Sequence, residues 1–202
     1  MGAVIGMDPR VPNRKALFDI GSTGPIFGLL PTMVFCYLGL AYGGQWIDRS
    51  TIPPGGLFEF GDPLILQWMA TWVLGPAPEN HLLTIGAVGF AGWVGLLVTS
   101  LNLFPLGQLD GGHVLYAILG RRARPITRAL FVACVVGMIV FQYYTWVLML
   151  GLIFLFGPAH GPTRNDDAPV GWPRTIVGWC LLAFVIIGFT PNLIVSMPGY
   201  SS

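Results

Sequence analysis

Apolar side chains run almost without interruption over several stretches of this chain, and polar residues collect between them. A helix crossing a hydrocarbon core about 30 Å thick needs about 20 apolar residues. The first stretch to meet this predicts a span from Pro25 to Tyr42. A loop over 43–80 follows, carrying Asp48, Arg49, Glu59, Asp62 and Glu79 and a Pro-Pro-Gly-Gly turn at 53–56. Within it, PLILQWMATWVLG is too short to span. Trp68 and Trp72 lie four residues apart, which predicts a helix lying at the membrane interface, although a re-entrant segment shares that signature. A second span runs from Leu82 to Phe104 without a charge. From Ala129 to Thr163 there is again no charged residue, and a straight helix over Ala129–Phe156 would be about 42 Å long. That exceeds the membrane, so the segment either tilts strongly or turns back near Gln142, Tyr143 and Tyr144; the polar, aromatic break favours a hairpin. A Pro/Gly-rich loop, GPAHGPTRNDDAPVGWPR, leads to a last span over Thr175–Val195, where Pro191 and Asn192 mark fraying or a kink. The pattern predicts an all-α, polytopic transmembrane protein.

Composition agrees. Hydrophobic residues make up 54% of the chain and charged ones 9%, against about 25% charged in a soluble domain. A net charge of +1 provides no surface for nucleic acid. Cys36, Cys134 and Cys180 each sit in an apolar run with no CxxC spacing, and read as small buried hydrophobes. The N-terminus lacks the apolar run and cleavage site of a signal peptide, so internal segments must direct insertion. Arg121, Arg122, Arg124 and Arg128 form the densest basic cluster, and Arg10, Arg14 and Lys15 precede the first span, while the loop between is acidic. The positive-inside rule then puts the N-terminus and the 105–128 region on the cytoplasmic side of a multi-pass protein.

Between Glu79 and Arg121 the single charged residue is Asp110, inside NLFPLGQLDGGHVLYA, 102–117. A carboxylate at membrane depth costs about 2.5 kcal/mol or more, so it needs a partner, a cavity or a metal. Pro105, Gly107, Gly111 and Gly112 predict a helix broken at this point, tolerated where the backbone lines protein or water. Asp110 could equally cap a helix that starts near Gly111 and continues to Gly120, since Asp is a preferred N-cap. The residues leave both readings open.

NLFPLGQLDGG fits the Asn-x-x-Pro-x-x-x-x-Asp-Gly pattern of the site-2 protease family of intramembrane zinc metalloproteases, with Asn102, Pro105, Asp110 and Gly111 in place. AGWVGLLVTSLN before it and PNRKALFDIGSTGPIFG at 12–28 also resemble the bacterial and plastid branch, so the similarity covers most of the chain. The resemblance implies zinc as cofactor, a transmembrane or membrane-proximal peptide as substrate, and Asp110 as the third zinc ligand. It places Asn102 beside the active site, holding the substrate strand or the developing oxyanion.

The family also carries HExxH on an earlier helix, where two histidines one turn apart bind zinc and the glutamate activates water. This chain has none: His81, His113 and His160 are followed by Leu, Val and Gly. The expectation is one membrane-embedded peptidase-like domain over 1–202, incomplete at its N-terminus; the alternative is a pseudo-protease that binds transmembrane segments without cutting them. His113 reads as hydrogen-bonded rather than ligating, His81 as an outer-interface residue and His160 as a loop residue. Gly86, Gly89, Gly92 and Gly95, three apart, sweep across one broad helix side, which predicts close packing of a neighbour or, alternatively, room for a substrate segment. Gly21, Gly24, Pro25 and Gly28 predict a tightly packed loop before the first span, and Ser22 in GSTG does not match the GxSG of a serine intramembrane protease.

Overall fold

The computed structural model describes residues 11–52, 59–157 and 163–195; Arg10, the Pro-Pro-Gly-Gly turn and His160 lie outside them. Helix α1 spans Arg14–Gly43, β1 Gln45–Asp48, β2 Glu59–Phe60, α2 Leu64–Leu74, β3 His81–Thr84 and α3 Ala87–Asn102. Then come α4 over Asp110–Leu119, α5 over Ala123–Val140, α6 over Val147–Phe156, α7 over Trp172–Gly188 and β4 over Ile194–Val195. The chain is mostly helical, with two small antiparallel sheets, β1–β3 and β2–β4, that the all-α expectation missed. Among the described residues, two helical stretches are long and apolar enough to cross a membrane: Arg14–Gly43, 30 residues, and Asp110–Val140, 31 residues, in which a 3-10 turn joins α4 to α5. The other apolar helices run to 10–17 residues.

Several boundaries differ from the sequence reading. The first helix begins at Arg14, well ahead of Pro25, because Asn13 Oδ1 accepts the Ala16 amide at 3.0 Å and so starts the helix. Gly21, Gly24, Pro25 and Gly28 therefore lie within a helix, not a loop; cooperative propagation over 30 residues outweighs the missing Pro25 amide. Ser22 Oγ and Thr23 Oγ1 both donate back to the Asp19 carbonyl, one turn earlier. The second apolar run opens as strand, not helix. Leu82 and Leu83 pair with Ile47 and Trp46, so a tertiary partner claims residues whose hydrophobicity alone reads as span. The run over 129–156 is a hairpin. Gln142 takes φ 58, the Tyr143 amide donates to the Met138 carbonyl at 2.9 Å, and α6 returns to stack Phe154 on Phe131.

The chain forms two compact units, 1–27 with 98–186, and 28–97 with 187–202. In the second, α1 and α3 lie against each other through small residues. A side chain on Gly39 would fall 2.1 Å from the Gly89 Cα, one on Gly92 2.5 Å from the Cys36 amide nitrogen, and one on Gly95 2.5 Å from Thr32 Oγ1. Three of the four glycines read from sequence thus face α1, which fills the side they leave thin; Gly86 meets nothing within 4 Å. Trp93 Nε1 donates to the Gly61 carbonyl at 2.9 Å, and Phe60, Phe90 and Trp93 pack as a ring cluster. In the first unit, Leu17 and Phe18 of α1 pack with Val114 to Ala117 of α4 and with Val170. A second cluster joins Leu106 and Leu109 to Leu150 and Ile153 of α6. The Asp110 segment lies between these two clusters along the chain.

Candidate functional site

Helix α3 stops at Asn102 and α4 starts at Asp110, so 103–109 is a true interruption. Pro105 has no amide to give, and Gly107 takes φ 56, a left-handed conformation that suits glycine. The interruption is held by its own short hydrogen bonds: the Leu106 amide to the Phe104 carbonyl at 2.7 Å and the Leu109 amide to the Leu106 carbonyl at 3.2 Å. Gly111 and Gly112 then let the first turn of α4 rest on that backbone. A Cβ on Gly111 would lie 1.8 Å from the Leu103 carbonyl oxygen, and one on Gly112 2.5 Å from that of Gly107. The motif's glycines are spaces for backbone.

Asp110 is the first residue of α4, and the position before it, Leu109, is the cap. No side-chain hydrogen bond caps this helix, and Asp110 stands one position inside it; the Leu109 carbonyl accepts the first intrahelical bond, from the His113 amide at 3.1 Å. A carboxylate in a first turn still gains from the helix dipole. It is half-buried, and α1 forms the adjoining wall: a Cβ on Gly24 would stand 3.3 Å from Asp110 Oδ2, and one on Gly21 3.0 Å from the Asp110 carbonyl oxygen and 2.7 Å from His113 Cβ. The glycines of α1 thus keep space open beside the carboxylate.

Asn102, the last residue of α3, has a buried Oδ1 with no hydrogen-bond partner among the described residues, and so has the Ser100 hydroxyl two positions earlier. Ser100, fully buried, escaped the sequence reading, although a hydroxyl inside an otherwise apolar run was its signal. His113 is fully buried in the core of α4. His81 opens β3, and its Nδ1 lies 2.7 Å from the Glu79 carbonyl oxygen.

A catalytic zinc takes three protein ligands and keeps one position open. Among the described residues, no three His, Cys, Asp or Glu side chains gather where they could hold a metal. Asp110 supplies one suitable oxygen donor, and the described residues do not complete a zinc centre around it.

One further carboxylate holds α4 in place, and no local pattern announced it. Asp166 accepts the Thr163 amide at 3.0 Å and the Thr163 hydroxyl at 2.6 Å on one oxygen, and the Tyr116 hydroxyl at 2.8 Å on the other, with Arg121 Nε at 3.5 Å. Burial works to raise this carboxyl, but the bonds from Thr163, Tyr116 and Arg121 together outweigh it and hold it below the usual carboxylate range. A depressed folded pKa means that the stabilisation is fully present above the unfolded value, about 3.9, and is lost as pH falls through the lower folded value. Asp166→Asn should therefore cost about 2 kcal/mol at neutral pH, since the NH2 that replaces one carboxylate oxygen cannot accept from Tyr116 and Arg121 while the remaining oxygen serves Thr163, and should flatten part of the acid limb of an unfolding-midpoint profile followed by tryptophan fluorescence. An unchanged acid limb would show that the clamp contributes nothing to stability.

The model of peptidase family M50 matches residues 1–144. The chain belongs to this family. Among similar proteins, the "Probable zinc metalloprotease EGY3, chloroplastic" of Oryza sativa subsp. indica is 28% identical over 207 residues, covering 95% of this chain and 35% of its own length. The "Probable zinc metalloprotease EGY1, chloroplastic" of Arabidopsis thaliana is 26% identical over 202 residues, covering 92% of this chain and 34% of its own. The chain spans about a third of the length of these relatives. No solved structure matches. The family resemblance carried by NLFPLGQLDGG is thus shown, and with two long apolar helices the chain is a membrane protein of M50 type.

Proposed function

We propose that this chain is the Asp110-bearing part of a multi-pass intramembrane zinc metalloprotease that cleaves transmembrane or membrane-proximal peptide segments. The observation that carries the reading is a half-buried carboxylate at a break between two helices, in a chain of peptidase family M50. Asp110 is the third zinc ligand in this reading, and Asn102, with its unused buried oxygen, positions the peptide beside it. The remaining metal donors come from outside the described residues. The whole chain acts as one membrane-embedded peptidase-like domain whose Asp110 end faces the cytoplasm. The similarity to proteins named as probable zinc metalloproteases supports the metal and the chemistry.

A second reading, a non-catalytic member of the family that holds transmembrane segments without cutting them, is favoured by the lack of a three-donor group among the described residues. Two measurements separate them. The purified 202-residue chain should hold well under one zinc per molecule by elemental analysis, because one ligand gives neither affinity nor geometry. Sequencing the transcript upstream of Met1 should reveal an in-frame HExxH within an apolar segment. Its absence would overturn the protease reading in favour of the binder, and stoichiometric zinc abolished by His113→Ala would show that the ligand set is another.

A further inference from the structure

At the polar end of α1, within the first unit, a cavity of about 430 Å³ is lined by Arg14, Arg121 and Arg122, by Asp166 and Asp167, and by the apolar Ile118 and Leu119. Its volume is within the range of sites that hold small molecules, about 300–1,000 Å³. Gly120 shapes it. Its φ is +60, and a Cβ there would fall 2.7 Å from Arg14 Nη1, so the missing side chain is what lets the Arg14 guanidinium lie against the 3-10 turn. Arg14 lines the cavity together with Arg121 and Arg122, so three fixed positive charges stand on its wall. Asp166 is already engaged, one oxygen by Thr163 and the other by Tyr116 and Arg121. With Arg121 paired to Asp166, Arg14 and Arg122 remain with Asp167 as the one carboxylate among the described lining residues that is not already engaged, beside the apolar Ile118 and Leu119.

We infer that this cavity binds a phosphate group, with Arg14 and Arg122 donating to its oxygens and Arg121 held in place by Asp166. Guanidinium forks match phosphate geometry and keep their charge at any physiological pH. Inorganic phosphate shares this chemistry. Ile118 and Leu119 and the start of a 30-residue apolar helix favour the phosphate of an anionic phospholipid, whose glycerol and first acyl carbons would lie against those two side chains. This site is independent of the proteolytic reading.

The test uses the full purified chain in neutral detergent at constant ionic strength, with tryptophan fluorescence reporting the thermal unfolding midpoint. Short-chain phosphatidylglycerol, phosphatidylcholine of the same chain length and inorganic phosphate are titrated separately. Phosphatidylglycerol should raise the midpoint saturably, and phosphatidylcholine should not. Arg122→Gln and Arg14→Gln should each weaken the apparent affinity about tenfold. Arg128→Gln, an exposed arginine that does not line the cavity, should leave it unchanged. Arg122 is exposed, so its variant carries the test should Arg14→Gln fail to fold. Inorganic phosphate matching phosphatidylglycerol would keep the phosphate site and assign it a soluble ligand. Equal responses to the two lipids, no response to phosphatidylglycerol or to inorganic phosphate, or arginine variants that bind like the unaltered chain would overturn the inference.

Discussion

Asp110→Asn, made in a protease that carries this chain together with an HExxH helix, should insert and accumulate like the unaltered protein yet lose proteolysis of a membrane-segment substrate by more than about a hundredfold. Asparagine has the size of aspartate, and no cap hydrogen bond from the Asp110 side chain is there to be lost, so folding has little to notice. What changes is the donor, from an anionic oxygen to a far weaker neutral one. Zinc content should fall with activity. Asn102→Ala should slow turnover with the metal retained, because its role in the proposed site is toward the peptide. Near-normal cleavage and zinc in Asp110→Asn would reduce the carboxylate to a favourable first-turn charge and remove the proposed ligand.

Gly111→Ala should be the most destabilising single methyl in the described part of the chain. Its Cβ would need to occupy a point 1.8 Å from the Leu103 carbonyl oxygen, and the obstacle is backbone, which cannot swing aside like a side chain. Moving α4 off the 103–109 turn breaks the packing of its first turn, at a cost above about 3 kcal/mol. Gly137→Ala supplies the comparison. Nothing lies within 4 Å of its added Cβ, and alanine in a helix interior gains about 0.5–1 kcal/mol over glycine. Unfolding midpoints of the two variants in detergent should therefore move in opposite directions. A Gly111→Ala chain as stable as the parent would mean that α4 does not rest on the turn as described.

The broken helix at 103–109 was legible because its causes are local: a proline without an amide and glycines where backbone must approach backbone. The α5–α6 turn at Gln142 was legible for a similar reason, since an apolar run too long for the membrane must do something at its one polar, aromatic break. The strand at 81–84 was not. His-Leu-Leu-Thr becomes extended because Gln45–Asp48 lies opposite it, and a run of leucines contains no record of that partner. The start of α1 at Arg14 was missed because Gly and Pro at 21–28 were weighed as breakers, whereas in place their small size lets α4 approach: Gly21 and Gly24 flank His113 and Asp110. The Tyr116–Asp166 bond joins residues 50 apart in sequence, a separation at which residue types alone do not choose a partner.

The lengths of the shorter helices have a consequence for the lipid around them. At about 1.5 Å per residue, the 16 residues of α3 reach about 24 Å and the 10 of α6 about 15 Å, against a hydrocarbon thickness of about 30 Å. If α3 and α6 cross the bilayer, segments this short create hydrophobic mismatch, which a bilayer relieves by thinning next to them. The α3 helix ends at Asn102, eight positions before Asp110, so the membrane would be drawn in beside the interrupted stretch. Headgroups and water would then stand closer to that carboxylate than the apolar sequence around it suggests, and a chain built largely of spanning-type residues would carry its own shallow place in the bilayer.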